Sequence, residues 1–167
     1  CVLQLASSQL AWQWQVRIES QLDHPVEVDL IYVQDVGLRG NDSGLVNEAY
    51  VSQYLERRVF EDVQHGSVVA CRQNMKEAVG HPWLMIACAG RAVAASTDGS
   101  TFYGRTFRAT GEPEALRAST LAGELSGESS VVAIQAEPFV LRPAESHTSA
   151  FAAVYAADHA QASSDSD

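Results

Sequence analysis

An all-β fold, an antiparallel β-sandwich with at most one or two short helices, is what this sequence predicts. Three observations predict it. The dominant hydrophobic period is two. Short strand-like runs recur at fairly even spacing, with turn chemistry between them. Hydrophobic residues make up 46% of the 167 residues, enough for a real core in one domain of this size.

The elements follow in chain order. Leu10, Trp12, Trp14, Val16 and Ile18 alternate with Ala11, Gln13, Gln15, Arg17 and Glu19, giving a strand with one dry face and one wetter face. Because Trp12 and Trp14 share their face with three aliphatic residues, they are expected in the core and not as a sugar-stacking platform. Val26, Val28, Leu30 and Tyr32 repeat the pattern, and Asp23-His24-Pro25 supplies a turn, so these two runs are expected to pair as a hairpin. The opposite face of the second run, with Glu27 and Asp29, reads as solvated. Further strands are expected over 68–72, 83–89, 92–95, 101–108, 130–135, 137–141 and 149–155, with Asp98-Gly99 as a tight hairpin turn. Pro138 and Pro143 fall near strand ends, where proline is tolerated.

Two segments resist a single reading. Val46, Tyr50 and Tyr54 lie four apart, which suits a helix, yet Tyr50-Val51-Ser52-Gln53-Tyr54 is equally good strand chemistry. Periodicity leaves both open over 45–60. The stretch 112–125, with Pro113 near a first turn and Leu116, Leu121 and Leu125 within it, reads as a short helix or a loop packed over the sheet. Residues 1–160 are expected to form the sandwich. Residues 161–167, rich in Ser and Asp, are expected to be a flexible tail or linker. A chain that opens inside a strand-like run, without Met, reads as a piece of a larger protein.

Composition narrows function. A formal net charge of -10 with scattered basic residues argues against nucleic acid as partner, because phosphate contacts need clustered Lys and Arg. No run approaches the roughly 18 apolar residues of a membrane helix. Three cysteines, Cys1, Cys71 and Cys88, form no paired spacing and suit reduced thiols in a cytoplasmic protein, with Cys71 and Cys88 buried. There is no nucleophile elbow, phosphate-binding loop or metal-ligand spacing among the five histidines. No catalytic residue, metal or cofactor is therefore assigned. Asn41-Asp42-Ser43 fits a glycosylation sequon, which in a cytoplasmic chain marks only a surface loop.

The candidate substrate-binding segment is 35–54. It leaves a strand at Asp35, passes three glycines and returns with Asn47, Glu48, Tyr50, Gln53 and Tyr54. Glycine-rich loops on rigid scaffolds often carry function. Amides and carboxylates suit sugar hydroxyls, and tyrosines suit apolar sugar faces. The plainer reading is a surface loop followed by an edge strand whose tyrosines pack inward.

Several runs resemble a known family. They are Leu3-Gln4-Leu5 followed by Ala11-Trp12-Gln13-Trp14-Gln15-Val16-Arg17-Ile18-Glu19, then Ile31-Tyr32-Val33-Gln34-Asp35-Val36-Gly37-Leu38, and Asn47 through Tyr54. Asp98-Gly99 with Phe102-Tyr103-Gly104, the run Leu121 to Ser129, and Arg142-Pro143-Ala144-Glu145 before a last strand continue the order. Together they resemble the β-sandwich domain of the glycoside phosphorylases of glycoside hydrolase family 94, nearest the 1,2-β-oligoglucan phosphorylase branch. Cyclic β-1,2-glucan synthase is an alternative parent. The resemblance implies a galactose-mutarotase-like super-sandwich that is itself non-catalytic. It implies a helical (α/α)6 barrel of the same parent chain as partner, a β-glucan oligosaccharide as ligand, and a homodimer face. An independent carbohydrate-binding module is the alternative function.

Overall fold

The computed structural model of the chain describes residues 1–40 and 48–164. The sequon at 41–43 and Asn47 lie outside the described residues. The strands are β1 (Val2–Leu5), β2 (Ala11–Glu19), β3 (Val26–Val28), β4 (Ile31–Asp35), β5 (Leu55–Asp62), β6 (Gly66–Gln73), β7 (Trp83–Cys88), β8 (Ala92–Ser96), β9 (Val131–Ala136), β10 (Phe139–Leu141) and β11 (Ser146–Ala156). Three short helices interrupt them: α1 (Glu48–Gln53), α2 (Gly99–Tyr103) and α3 (Phe107–Thr110). A single 3-10 turn follows at Glu114–Arg117. The all-β expectation holds, with one helix more than expected.

The strand order is β1-β2-β11-β7-β6-β8-β9-β4, and β5 pairs with the other edge of β6. Almost every pairing is antiparallel. The exception is one parallel bridge, Gly66 to Ala92, which joins β6 to β8 and makes the sheet mixed. That bridge is the corner at which the curled sheet folds over itself. Gly66 has φ +69, and a methyl group there would overlap the Ala92 carbonyl oxygen. The corner therefore needs glycine for both its backbone conformation and its close approach. One layer is then β1-β2-β11-β7-β6-β5, and the facing layer is β8-β9-β4. A separate small ladder joins β3 to β10.

The core lies between the layers. Val69, Cys71, Leu84, Ile86, Phe151 and Ala153 of the first meet Val132, Ile134 and Ala136 of β9, with Val36 and Leu55 closing one end. Tyr32 of β4 stacks on Phe151 of β11, ring centroids 5.2 Å apart. A second cluster covers the other face of β9: Val131 and Ala133 pack with Ala94, Phe102 and Leu121. All six residues of β9 are buried for this reason, and the strand shows no polar alternation. Across the outside of β6 and β7 runs the segment 157–164. Arg72 Nε donates to the His159 carbonyl at 2.7 Å, and His159 stacks on Trp83. Ser163, assigned by the sequence to a terminal tail, is 2% exposed and takes hydrogen bonds from Arg58 and Trp83.

Three expectations are corrected. The expected hairpin between 10–18 and 26–32 does not form. β2 pairs with β1 and β11, while the second run splits at Asp29 into β3, paired with β10, and β4, paired with β9. The expected strand at 101–108 is α2 and α3, because Asp98 caps a helix instead of opening a hairpin. Trp12 and Trp14 are only half-buried, with Trp12 packed against the core. They do lie on the inner face, opposite Ala153 and Phe151 in register, but no strand of the facing layer covers them. The ambiguous stretch 45–60 contains both readings in succession, α1 and then β5.

Candidate functional site

Of the predicted segment 35–54, the described residues 35–40 and 48–54 are tied together at one end of the sandwich. Asp35 closes β4, and its Oδ1 accepts a hydrogen bond from Ser130 Oγ at 3.1 Å. Next to it, the Val36 amide donates to the Ser130 carbonyl at 2.8 Å, holding the end of β4 on β9. Tyr103 of α2 faces this carboxylate. Burial, and then the charge of Asp35, push its phenol above the ordinary tyrosine value.

Helix α1 presents the tyrosines. Val51 and Ser52 turn inward, and Ser52 Oγ donates to the Ala49 carbonyl at 3.0 Å. Tyr50, Gln53 and Tyr54 are left exposed. The two rings meet edge to face with centroids 5.2 Å apart, the four-residue spacing that a helical turn brings together. A hydrogen bond with Tyr50, and then its charge, push the Tyr54 phenol up. The plainer expectation of inward-packed tyrosines is therefore not what the structure gives. Glu48 begins this helix.

Gln73 at the end of β6 ties these parts together. Its Nε2 donates to the Gly37 carbonyl at 3.0 Å and to the Val51 carbonyl at 3.4 Å, so one buried amide fixes both the exit of β4 and α1. Asp35 and the tyrosine pair share this end of the domain but occupy separate neighbourhoods. Asp35 faces Ser130 and Tyr103, whereas Tyr50 and Tyr54 face each other. Such groups can bind hydroxyls and an apolar sugar face. Among the described residues, no three His, Cys, Asp or Glu side chains gather for a metal ion.

Sequence reading missed Arg57. It is 1% exposed, and its Nη1 donates to Ser129 Oγ at 3.1 Å and the Val131 carbonyl at 2.9 Å. Burial lowers the guanidinium below its ordinary value, with Cys71 and Asp98 acting in the opposite direction. The signal was present: Leu55, Arg57 and Val59 alternate, which places Arg57 on the inward face of a strand. Ser126 accepts from the Arg57 amide and donates to its carbonyl, so the run 121–129 seals the outer edge of β5.

A family model described as the SOGP N-terminal domain matches residues 1–152. Over 129 residues the chain is 32% identical to a 1,2-beta-oligoglucan phosphorylase of Listeria innocua, covering 77% of this chain and 11% of that protein. The chain thus spans about a ninth of the length of this curated relative. The relation to 1,2-β-oligoglucan phosphorylase read from the sequence holds. The family does not, because the matching model is not a glycoside hydrolase family 94 domain. These matches lend no support to a cyclic β-1,2-glucan synthase parent. The chain belongs to the family of SOGP N-terminal domains.

Proposed function

We propose that this chain is the sandwich portion of a larger β-oligoglucan phosphorylase. In that role it holds a helical catalytic barrel of the same polypeptide and contributes to the substrate channel without performing chemistry itself. The observation that carries this reading is the 32% identity to a 1,2-beta-oligoglucan phosphorylase. In the parent reaction, inorganic phosphate displaces the glucan at the anomeric carbon. Glucose 1-phosphate is released, and the shortened glucan takes up the proton.

Within this reading, Asp35, Asn47, Glu48, Tyr50, Gln53 and Tyr54 face the oligosaccharide. The exposure of Tyr50 and Gln53 on α1 and of Tyr54 just after it supports it. In the full-length protein, Glu48→Ala and Tyr50→Ala should each raise KM for β-1,2-glucooligosaccharide by about 10-fold, the loss of roughly one good contact. The thermal midpoint should stay within about 2 °C. Wild-type kinetics in both variants would remove this face from the channel. A fall in stability alone would make these residues structural.

A further inference from the structure

The two layers of the sandwich do not match in width. The inner face of the wider layer continues outward from β11 in register. Phe151 is followed by Trp14 and then Leu3 on one row, and Ala153 by Trp12 and then Leu5 on the next. The facing layer stops at β4, whose Tyr32 lies over Phe151. Beyond that point no strand lies above the apolar rows of β2 and β1 among the described residues. Leu5 is 75% exposed, and an open cleft of about 550 Å³ runs between Leu3, Leu5, Trp12, Trp14 and Val16 on one side and Tyr32, Val33 and Gln34 on the other.

The outer edge of β4, which pairs with no strand among the described residues, borders this cleft. The Ala136 amide donates to the Leu30 carbonyl and the Val36 amide to the Ser130 carbonyl, which fixes the even-numbered residues of β4 as those bonded to β9. The amides and carbonyls of Ile31, Val33 and Asp35 therefore point outward, away from β9. The other outer strand near the core, β5, is already sealed: Glu124 and Ser126 take its amide protons, and the Gly127 amide reaches the Leu55 carbonyl. Proteins rarely leave an unsealed edge beside an exposed apolar face.

We propose that a β-hairpin of the parent polypeptide, from outside residues 1–167, pairs with the outward edge of β4 and covers Trp12, Trp14, Leu3 and Leu5. This rests on the reading that the chain is part of a longer enzyme. The relative of which it spans 11% has ample further length to supply such a segment. Strands lie about 4.8 Å apart, so two added strands reach about 10 Å past β4, the width of β2 and β1 together. The hairpin carries apolar residues on alternate positions facing the tryptophans, and it completes the narrow layer.

Hydrogen exchange on the full-length protein, resolved to single amides, tests this. The Ile31, Val33 and Asp35 amides should exchange at least about 100-fold slower than unstructured rates, and the protection should persist on dilution to the monomer. Free-edge rates at these amides overturn the proposal, and so does protection lost on dilution, which would make a second copy the occupant. Glucose 1-phosphate release by the same preparation reports separately on the parent reading. An active enzyme with an unprotected β4 defeats the hairpin alone, and a protected β4 in an inactive protein defeats the phosphorylase reading alone.

Discussion

Arg57 shows how one side chain can organise an edge of the sandwich. Its guanidinium is buried with Cys71 nearby and spends two hydrogen bonds on Ser129 and the Val131 carbonyl. Burying such a cation is costly, and its main use here is to satisfy the first carbonyl of β9. Arg57→Ala opens a cavity and strands that carbonyl, so it should cost about 3 kcal/mol in urea unfolding. Arg57→Met keeps the volume and removes the buried charge, and should cost less than half as much. Equal stability of wild type and Arg57→Ala would contradict the structural role. Cys71, beside it, is pushed up to about 12 by burial, which makes it an inert small hydrophobe and fits the sequence reading of that residue.

The elements divide by how local their causes are. β7 was legible because a buried strand reads as an unbroken apolar run, and β2 because its alternation is long. Partners were not legible. Alternation assigns faces, while the pairing of β2 with β11 and β3 with β10 is decided by residues more than a hundred positions away. Asp98-Gly99 failed for a chemical reason. An Asp that accepts backbone amides serves a turn and a helix cap alike, and here it takes the Ser100 and Thr101 amides at 2.9 and 3.1 Å and the Thr101 hydroxyl at 2.5 Å. The bond from the Thr101 hydroxyl, with the two amides, holds the Asp98 carboxyl below its ordinary value of 3.8. Its folded value is depressed, so its contribution is present above the unfolded value and is lost as pH falls through the folded one. Asp98→Ala should cost about 1 kcal/mol at pH 7. In denaturant titrations that cost should shrink as the pH falls below the ordinary carboxylate range. A pH-independent difference would show that the cap does not act through its charge.

At the scale of the whole molecule, the candidate site was half legible. The composition of 47–54 pointed to an exposed polar and aromatic face, and the structure leaves Tyr50 and Gln53 of α1, and Tyr54 just after it, exposed. How they sit relative to Asp35 was not legible, because it depends on Gln73, which lies 36 and 22 residues beyond the Gly37 and Val51 carbonyls it bridges. The tryptophan face was misjudged for a related reason. Its apolar pattern is that of a core strand, and among the described residues no strand of the facing layer covers it. Both points lead to the same account, a scaffold whose function is completed by the rest of its polypeptide. The most direct measurement is release of glucose 1-phosphate from β-1,2-glucooligosaccharide and phosphate, run side by side on the full-length protein and on residues 1–167. The account predicts phosphate-dependent turnover by the full-length protein and none by the shorter chain. Turnover that tracks purified residues 1–167, or a full-length protein that leaves the oligosaccharide intact, would contradict it.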